Sequence, residues 1–538
     1  MRALRPSKTE IIAAATSALL FALTFPPFKL LVPAFLCLVP LTVGVARAAD
    51  DPAGTLGGAA RIGLWFGILG YGANLYWIAV ALSIFTWLAS VGYIAALIWL
   101  APWLALTTAV LFAARRLTRW PMAILLPIVW VTSELVLLHL ADLAFPWLPL
   151  GLGVSTWPHF AQLADVSGVH GLSFWLALSN GLLADIVITR RQIPARVIGI
   201  IAFAAAVYAY GAWRLANTLL VPVGRVMAIQ PNVPEDEKIQ EANRPFFMGM
   251  MARDTREALA KTTEKPSLIL WPEASLPDFL SSHVEWRDSL RALASVSHAS
   301  LLFGVLDVTW LSPTTYGFFN AAELADSTGV IGAQPSYHKE YLVPIVERVP
   351  FLNPHWFAGL KYFGGFGRGH DPEPYHVSIG NVGVLICYES IFPDLSRHYR
   401  LHGADLLANI TNDAWFGRSL APYQHVAHLR LRAIENRMGV VRAANTGISE
   451  YVDPLGRVHD ATGLFVPASP IFNAETSHVR TLYVAWGDWI GIVSAVCTLG
   501  LCIAAYVTAR SRERFIFEAG ATTQNDIDHL ANHGGDRH

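Results

Sequence analysis

Three residues of different chemical type stand where an α/β fold tends to place reactive side chains. Cys387 ends the apolar run Gly383–Ile386, Glu273 follows the run Leu268–Leu270, and Lys339 lies in an aromatic segment between them. Acyl transfer through a cysteine needs a thiolate, a base that takes the thiol proton, and a positive or N–H donor for the oxyanion. The three residues supply one type for each function, and a nearby ammonium also favours a thiolate. The sequence therefore predicts this chemistry if the three side chains converge.

Each of these residues taken alone has a more ordinary explanation. A single cysteine after a strand, such as Cys387, is more often an inert core residue than a nucleophile. Glu273, after Trp271 and Pro272, could be a helix cap or one member of an ion pair. Lys339 stands beside Glu340, and a surface pair of this kind contributes little to stability. Only the combination indicates catalysis.

The strands that would position these residues belong to a segment that begins near residue 225. Short apolar runs bounded by polar or turn residues alternate there with amphipathic stretches of helical spacing, which is typical of one α/β domain. The predicted strands are Val226–Ile229, Leu268–Leu270, Leu301–Val305, Val382–Cys387, Leu406–Ile410 and Val440–Ala443, and the predicted helices are Asn243–Lys261, Val284–Ser297, Pro393–Leu401 and Tyr423–Asn436.

The remainder of the chain has the composition of a membrane protein. Hydrophobic residues make up 54% of the 538 residues and charged residues 15%, against about 25% charged in soluble domains. The net charge of −1 gives no basic surface for a nucleic-acid partner. Eight apolar runs are long enough to cross a bilayer: about Ile11–Phe25, Leu30–Val45, Ile62–Val80, Val91–Ala113, Met122–Leu140, Leu172–Ile188, Val197–Leu215 and Val484–Ala509.

The distribution of arginine and lysine predicts the orientation of these spans. Basic residues cluster in segments 1–10, 46–61, 114–121, 189–196 and 510–538, whereas 81–90 and 141–171 contain none. Positive charge favours the cytoplasmic side, so both termini are predicted to lie in the cytoplasm and residues 221–480 outside it. The predicted units are a seven-span domain (1–220), an α/β domain (221–480), an eighth span (481–510) and a disordered tail (511–538).

Six ordered motifs, together with this topology, resemble a known family. The chain is similar to the nitrilase (carbon–nitrogen hydrolase) superfamily and, within it, to the apolipoprotein N-acyltransferases. This resemblance implies an αββα sandwich inserted before the last of eight membrane spans. The motifs are Trp271–Glu273, Tyr337–Lys339 with Leu342–Pro344, Glu347–Pro350, Cys387–Glu389, Asn412–Gly417 and Arg442–Ser449; the loop Phe145–Leu148 also looks like a family feature.

The resemblance implies a two-step reaction at the outer face of a bacterial inner membrane. Glu273 would deprotonate Cys387, whose thiolate would take the sn-1 acyl chain of a phospholipid while Lys339 stabilises the oxyanion. The thioester would then pass this chain to the α-amine of the diacylglyceryl-cysteine of an apolipoprotein. The implied partners are therefore a phospholipid donor and an apolipoprotein acceptor, and we expect a monomer.

The same resemblance implies roles for residues around the triad. Glu347 would support Lys339, Tyr388 and Glu389 would support the nucleophile, and Trp415 would form part of a lipid-binding wall. The Gly-rich segment Asn353–Pro374 is either a solvated loop or a lid that admits acyl chains; as a lid it would bring Phe363 and Phe366 to the substrate.

Two departures and two alternatives accompany this hypothesis. Pro231 stands where the family typically has glycine, and Ile239 where it has tryptophan, which puts one lipid contact in doubt. A membrane-tethered amidase could use the same triad to hydrolyse a small amide. A transporter would need ionisable residues within the spans. The main candidates are Glu134, Asp142 and Asp185, whereas His170, near the outer face, is expected to be an interfacial residue. We expect neither a metal nor an organic cofactor, because the sequence contains no ligand cluster or phosphate loop.

Overall fold

The first part of the chain folds into a bundle of apolar helices. The structure, a computed structural model, describes residues 6–83, 87, 89–238, 240–312, 315–352 and 365–533, with the backbone alone for 311, 312, 315 and 512–533. The helices of the bundle are α1 (Lys8–Thr24), α2 (Leu31–Leu36), α3 (Val39–Asp50), α4 (Leu56–Leu75), α5 (Trp77–Ser83), α6 (Ala89–Thr118), α7 (Met122–Leu138), α8 (Pro158–Ala161), α9 (Ala164–Thr189) and α10 (Ile193–Asn217).

Close packing in this bundle depends on small residues. A Cβ atom added to Gly63 of α4 would lie 2.2 Å from the carbonyl oxygen of Leu104 in α6, and one added to Gly67 would lie 2.9 Å from the Cα of Ala101. Glycine therefore lets the two backbones touch, as is common where helices associate without a hydrophobic driving force from water.

Five helical segments of the described residues are long and apolar enough to cross a membrane. They are Leu31–Asp50, Ala89–Thr118, Ala164–Thr189, Ile193–Asn217 and Trp489–Ser511, and α4 with α5, bent by 51°, makes a sixth if the pair is one span. The other two predicted spans are the helices α1 and α7, each of 17 residues. A multi-pass membrane bundle is confirmed, and the count of eight spans stays a prediction.

The second part of the chain contains two β-sheets. Their strands are β1 (Val221–Ala228), β2 (Leu268–Leu270), β3 (Leu276–Phe279), β4 (Ser300–Ser312), β5 (Thr315–Ala325), β6 (Tyr337–His338), β7 (Tyr375–Val377), β8 (Gly380–Ile386), β9 (Leu406–Thr411), β10 (Gly439–Ala444), β11 (Glu450–Val452), β12 (Val458–His459) and β13 (Ile471–Thr476). The first sheet has the order β13-β1-β2-β4-β5-β6, with β3 beside β4, and the second has the order β12-β11-β10-β9-β8-β7. The central strands β1, β2 and β4 are parallel to one another, as are β8, β9 and β10.

Helices cover the outer faces of both sheets. The covering helices are α12 (Arg244–Lys261) and α13 (Val284–Ser297) on the first sheet, and α14 (Pro393–Leu401) and α15 (Ala421–Asn436) on the second. The other helices of this part of the chain are α11 (Glu235–Lys238), α16 (Leu482–Trp486) and α17 (Trp489–His533). Alternate residues of the first sheet, such as Leu270 and Leu302, pack between the sheets against Val384 and Ile410, while Ile269 and Phe303 pack against α12 and α13. The predicted αββα sandwich is thereby confirmed.

Helix α15 joins this sandwich to the membrane bundle. Val426, Leu429 and Ala433 pack in one hydrophobic cluster with residues of the second sheet, whereas Ala427 and Leu431 lie in the core of the bundle. Two opposite faces of one helix are therefore buried, and the bundle and the α/β domain share a continuous packed interior.

Two sequence predictions need correction. The strand expected over Val382–Cys387 ends at Ile386, because Cys387 has φ +50°, which no β-strand residue adopts. The tail predicted as disordered continues α17 as far as His533; residues 511–533 contain no proline and include several good helix formers.

Candidate active site

The three residues proposed from the sequence meet where strands of the two sheets end. Glu273 lies in the turn after β2, Lys339 directly follows β6, and Cys387 directly follows β8. The Lys339 Nζ atom lies 3.3 Å from the Glu273 Oε1 atom. All three are buried, with 6%, 1% and 7% of their surface exposed for Glu273, Lys339 and Cys387. The loops at the strand ends thus bring carboxylate, ammonium and thiol into one buried site.

The thiol of Cys387 is electrically coupled to both partners. Burial raises the pKa of the Cys387 thiol, the Glu273 carboxylate raises it further, and the Lys339 ammonium offsets only part of this increase. The resting thiol is therefore neutral. A free thiolate would be costly at this depth, so a reaction through this sulfur requires a base that takes the thiol proton.

Lys339 is held between two carboxylates. Its Nζ atom lies 2.9 Å from Oε1 of Glu347 and 3.3 Å from Oε1 of Glu273. Burial alone would lower the pKa of Lys339, but the negative charges of Glu347 and Glu273 outweigh it and the pKa is raised. The ammonium therefore keeps its charge and is suited to donating hydrogen bonds to an oxyanion, not to accepting a proton. Glu347 was expected from the sequence, and it contacts Lys339 directly.

Asn320, which the sequence analysis missed, links the two carboxylates. Its Nδ2 atom donates to Oε1 of Glu273 at 2.7 Å and to Oε1 of Glu347 at 3.0 Å. The Asn412 backbone N–H donates to the other oxygen of Glu273 at 2.9 Å. Three donors therefore fix the Glu273 carboxylate. Asn320 lies on β5, a strand that the sequence did not predict, so nothing placed it near the triad.

A second buried lysine also lies beside Glu273. The Nζ atom of Lys238 donates to the backbone carbonyl of Glu273 at 3.0 Å, and burial lowers the pKa of Lys238. The neighbouring Glu235 accepts a hydrogen bond from Asn412 Nδ2 at 2.6 Å. The sequence analysis did not single out Lys238. Its neighbour Ile239, one of the two departures from the family pattern, lies outside the described residues.

Glu389 connects the nucleophile turn to the lysine segment. Its Oε1 atom accepts from the hydroxyl of Tyr337 at 2.7 Å and from the N–H of Glu340 at 2.6 Å, and its Oε2 atom accepts from the N–H of Ile386 at 2.7 Å. Burial raises the pKa of Glu389 to about 7. The Glu389 carboxyl group is therefore bonded both to the segment that contains Lys339 and to the residue before Cys387, and it links these two parts of the site.

Tyr388 points toward the membrane bundle. Its hydroxyl donates to the carbonyl of Ala144 at 2.8 Å, and its ring stacks on Trp147 with centroids 6.4 Å apart. Tyr388, the residue after Cys387, is therefore anchored to the loop that follows α7. This contact connects the candidate site with the membrane half of the chain.

The aromatic residues expected to bind substrate occupy different environments. Trp415 packs, partly buried, against the bundle core. Phe366 is 7% exposed, and its N–H donates to the carbonyl of Glu347 at 3.0 Å. Phe363 lies outside the described residues, as does most of the predicted lid. A role in binding substrate stays a prediction for all three.

A small, open pocket lies beside the lysine segment. Apolar groups and two pairs of opposite charges form its walls, so it offers both apolar surface and fixed charge next to Lys339. The lining residues are Ala141, Asp142, Ala144, Glu340, Tyr341, Leu342, Arg348, Arg368 and Phe392.

The ionisable residues considered for a transport path serve as structural anchors. Asp142 pairs with Arg348 at 3.3 Å. Asp185 accepts the N–H groups of Met122 and Ala123 at the start of α7, each at 3.0 Å. The other two, Glu134 and His170, contact each other at 4.0 Å, and His170 also contacts Asp488. Because each has a defined partner, these four residues do not favour the transporter alternative.

An αββα sandwich with a cysteine, a glutamate and a lysine at its strand ends defines a carbon–nitrogen hydrolase domain, and the family model for carbon–nitrogen hydrolases matches residues 237–476. The model for the N-terminal domain of apolipoprotein N-acyltransferase matches residues 17–182. A relative named apolipoprotein N-acyltransferase from Geobacter metallireducens is 32% identical over 94% of this chain and 96% of its own length. One of the same name from Rhodopseudomonas palustris is 33% identical over 80% of this chain and 83% of its own length. The chain belongs to the apolipoprotein N-acyltransferase family, and it is a membrane-embedded acyltransferase of the carbon–nitrogen hydrolase superfamily.

Solved structures similar to part of this chain include an amidase of the nitrilase superfamily and a carbon–nitrogen hydrolase. A mutant amidase from Nesterenkonia AN1 is 19% identical, covering 49% of this chain and 95% of its own, with a TM-score of 0.36. A carbon–nitrogen hydrolase from Helicobacter pylori G27 is 17% identical, covering 50% of this chain and 94% of its own, with a TM-score of 0.37.

Proposed function

We propose that this enzyme moves the sn-1 acyl chain of a phospholipid, through a thioester on Cys387, to the α-amine of the N-terminal diacylglyceryl-cysteine of an apolipoprotein. The observation that carries this proposal is the buried contact of Glu273 with Lys339 beside Cys387, in a turn whose Tyr388 is anchored on the membrane bundle. Acyl-transfer chemistry is thereby joined to a lipid-facing scaffold.

In the first step, Glu273 takes the proton of the Cys387 thiol as the sulfur attacks the ester carbonyl carbon. Negative charge then develops on the carbonyl oxygen, where the Lys339 ammonium donates a hydrogen bond. When the tetrahedral intermediate collapses, the C–O bond breaks and the departing lysophospholipid oxygen receives the proton from Glu273. The product is a thioester on Cys387 and a free lysophospholipid.

In the second step, the α-amine of the apolipoprotein attacks the thioester carbonyl. The C–N bond forms, the amine gives a proton to Glu273, and the C–S bond breaks, with Lys339 again opposite the oxyanion. The thiolate of Cys387 then recovers its proton from Glu273. Both steps use the same three groups, so the site returns to its starting state after each N-acylation.

Burial of the site favours transfer over hydrolysis. A thioester survives the exchange of one large lipid for another only if water is kept away, and Cys387 is 7% exposed. The amidase alternative requires water to reach the thioester and gives the membrane helices no role. Family membership and the anchoring of Tyr388 on the bundle therefore favour the acyltransferase.

We further propose that the protein lies in a bacterial inner membrane, with both termini in the cytoplasm and the catalytic domain (221–480) in the periplasm. Support comes from the arginines at one end of the bundle. Arg115 and Arg119 both pair with Asp50, at 2.8 and 3.0 Å, and Arg61 pairs with Glu10 at 3.0 Å. Positive charge at the ends of membrane helices marks the cytoplasmic side.

The test separates the two half-reactions. Purified protein is incubated with phospholipid alone, and an acyl adduct on Cys387 is sought by peptide mass spectrometry; a diacylglyceryl peptide is then added. We expect the adduct to form, to persist in water, and to disappear as the peptide gains the chain. Cys387→Ala should form no adduct and no product, while Cys497→Ser, which changes an exposed cysteine of the last span, should behave as wild type. Full transfer by Cys387→Ala would refute the proposal, and an adduct lost to water without peptide would favour the amidase.

A further inference from the structure

A second cluster of buried polar residues lies directly beneath the Cys387 turn. Ser390, Asp413, His425 and Arg442 are each at most 1% exposed. The His425 Nε2 atom lies 2.9 Å from the Ser390 Oγ atom and 3.0 Å from the carbonyl oxygen of Cys387. On the other side of the ring, Nδ1 lies 3.1 Å from Asp413 Oδ1 and 3.2 Å from Arg442 Nη2. This cluster contains a histidine that contacts the nucleophile residue and has no part in the two steps above.

The cluster has the residue types of a serine-hydrolase triad, but its geometry serves another purpose. Ser390 is completely buried, and its hydroxyl donates to the carbonyl oxygen of Cys387 at 2.9 Å. A nucleophilic serine has to present its oxygen to substrate. The hydroxyl of Ser390 is instead the second hydrogen-bond donor to the same carbonyl that His425 contacts.

The contacts fix where the imidazole carries its proton. A carbonyl oxygen can only accept hydrogen bonds, so Nε2 of His425 must be protonated to bond the Cys387 carbonyl. Asp413 stands at the opposite nitrogen and is itself bonded by Arg442 Nη2 at 2.5 Å and by the Thr411 hydroxyl at 3.1 Å. Burial would raise the pKa of Asp413, but the charge of Arg442 outweighs it and the pKa is lowered. The Asp413 carboxylate therefore keeps its charge and holds Arg442, whose Nη2 atom donates to the unprotonated Nδ1 of the ring at 3.2 Å.

The carbonyl that these groups hold belongs to a residue in an unfavourable conformation. Cys387 has φ +50°, a backbone region that is unfavourable for a non-glycine residue and persists only where its surroundings enforce it. The two hydrogen bonds to the Cys387 carbonyl, from His425 and Ser390, oppose relaxation of this peptide toward an extended conformation. Relaxation would turn the thiol away from Glu273 and Lys339.

We propose that His425 is a positioning residue for the acylation step: its Nε2–H, with the ring oriented by Asp413 and Arg442, holds the left-handed turn that directs the Cys387 sulfur toward the ester carbonyl. The inference rests on the proposed function, because it assigns the role through the nucleophile Cys387. Loss of the Nε2–H should slow thioester formation at least tenfold. A tenfold change in rate corresponds to about 1.4 kcal/mol in the activation barrier. The lipid concentration for half-maximal rate should stay within a factor of two.

The surroundings of the ring allow packing and hydrogen bonding to be separated. His425 stacks on Trp147 with centroids 5.6 Å apart and meets Phe416 edge-on at 5.8 Å. His425→Phe keeps an aromatic ring in this position and removes the donor, whereas His425→Gln loses the ring and keeps an N–H donor near Nε2. His428, three residues further along α15, is 1% exposed and contacts the carbonyl of Trp147 at 3.1 Å. His428→Phe is therefore the matched control for loss of a buried histidine.

The test is the single-turnover rate of thioester formation on Cys387 with phospholipid vesicles, measured for full-length wild type and the three variants together with their melting temperatures. We expect His425→Phe to be at least tenfold slower than wild type and His425→Gln to recover most of the rate. His428→Phe should stay within twofold of wild type, although both phenylalanine variants lose similar thermal stability. Equal rates for His425→Phe and His428→Phe, or no gain from glutamine, would overturn the inference.

Two further outcomes are also decisive. If His425→Phe does not fold, Ser390→Ala, which removes the other donor to the same carbonyl, replaces it; about threefold slower acylation supports the inference and an unchanged rate overturns it. If wild type itself forms no thioester, the proposed function fails and the inference fails with it. If instead wild type forms the thioester and His425→Phe forms it at the same rate, the proposed function stands and only the inference about His425 fails.

Discussion

Replacing Asn320 with leucine should slow acylation of Cys387 by about 10- to 100-fold with little loss of stability. The Nδ2 group of Asn320 bonds the carboxylates of Glu273 and Glu347 at 2.7 and 3.0 Å. A hydrogen bond to a charged group contributes about 1.5–3 kcal/mol, and each 1.36 kcal/mol in a barrier is a factor of about ten. We assume that the transition state loses the free energy of only one such hydrogen bond, because the Lys339 ammonium still bridges the two carboxylates.

Stability should change less than the rate for a reason visible at the same side chain. The Oδ1 atom of Asn320 is buried and has no hydrogen-bond partner among the described residues, and an unsatisfied buried acceptor costs about 1–3 kcal/mol. Leucine has a similar volume and removes this acceptor together with the two donated bonds. The two effects on the free energy of unfolding therefore oppose each other.

The assay is the single-turnover rate of acyl-adduct formation on Cys387, followed by mass spectrometry, with the melting temperature measured in the same detergent. Asn436→Leu is a matched control. Asn436 is fully buried, donates two hydrogen bonds through Nδ2, and its Oδ1 has no partner in the part of the chain that the structure describes, but it lies on α15 away from the triad. Acylation by Asn320→Leu at the rate of this control would refute the reasoning, because the bridge between the carboxylates would then contribute nothing to the reaction.

Two further predictions follow from buried ionisable groups. Lys238→Met should slow acylation about tenfold, because it removes a charged hydrogen-bond donor, worth about 1.5 kcal/mol or more, from the backbone carbonyl of Glu273. Single-turnover rates of acylation test this prediction. The control Lys265→Met, at an exposed lysine that also bonds a backbone carbonyl, should react at the wild-type rate. The melting temperature should fall as pH rises from 5 to 8, because the folded protein binds protons at buried carboxyls that the unfolded chain has already released. Calorimetry across this range tests the second prediction, and a melting temperature that rises with pH would contradict it. The carboxyls whose pKa burial raises to about 7, from an ordinary value near 4.5, are Glu389, Glu435 and Glu450.

The triad could be predicted from the sequence because each of its members stands next to a strong local signal. Cys387 and Glu273 follow short apolar strands, and Lys339 lies in a motif that resembles a family. Asn320 and Lys238 had no such signal. Asn320 lies on a strand whose alanines and glutamate obscure its β character, and the Lys238 segment reaches Glu273 only through the tertiary fold. Hydrogen bonds between residues far apart in sequence leave no local periodicity to detect.

The direction of a side chain was equally hidden in the sequence. Tyr388 stands beside the nucleophile, yet its hydroxyl bonds the carbonyl of Ala144 in the membrane half, because the turn that begins at Cys387 presents successive residues to different partners. Phe366, expected on a lid, is buried with its backbone bonded to Glu347. Motifs therefore singled out these residues, and the turn geometry decides what each one contacts.

Buried charge at the boundary between the two halves argues that the membrane bundle helps to build the site. Arg437, at the end of α15, is completely buried and pairs with Asp165 of α9 at 2.5 Å, and Asp165 also pairs with Arg214 of α10 at 2.8 Å. Removing one partner of a buried pair costs about 3–5 kcal/mol, because the other charge is left uncompensated. A catalytic domain separated from the bundle would leave Arg437 without this carboxylate and Tyr388 without the Ala144 carbonyl. Since α15 also carries His425 beneath Cys387, the proposed positioning of the Cys387 sulfur depends on helices that are themselves apolar enough to lie in lipid.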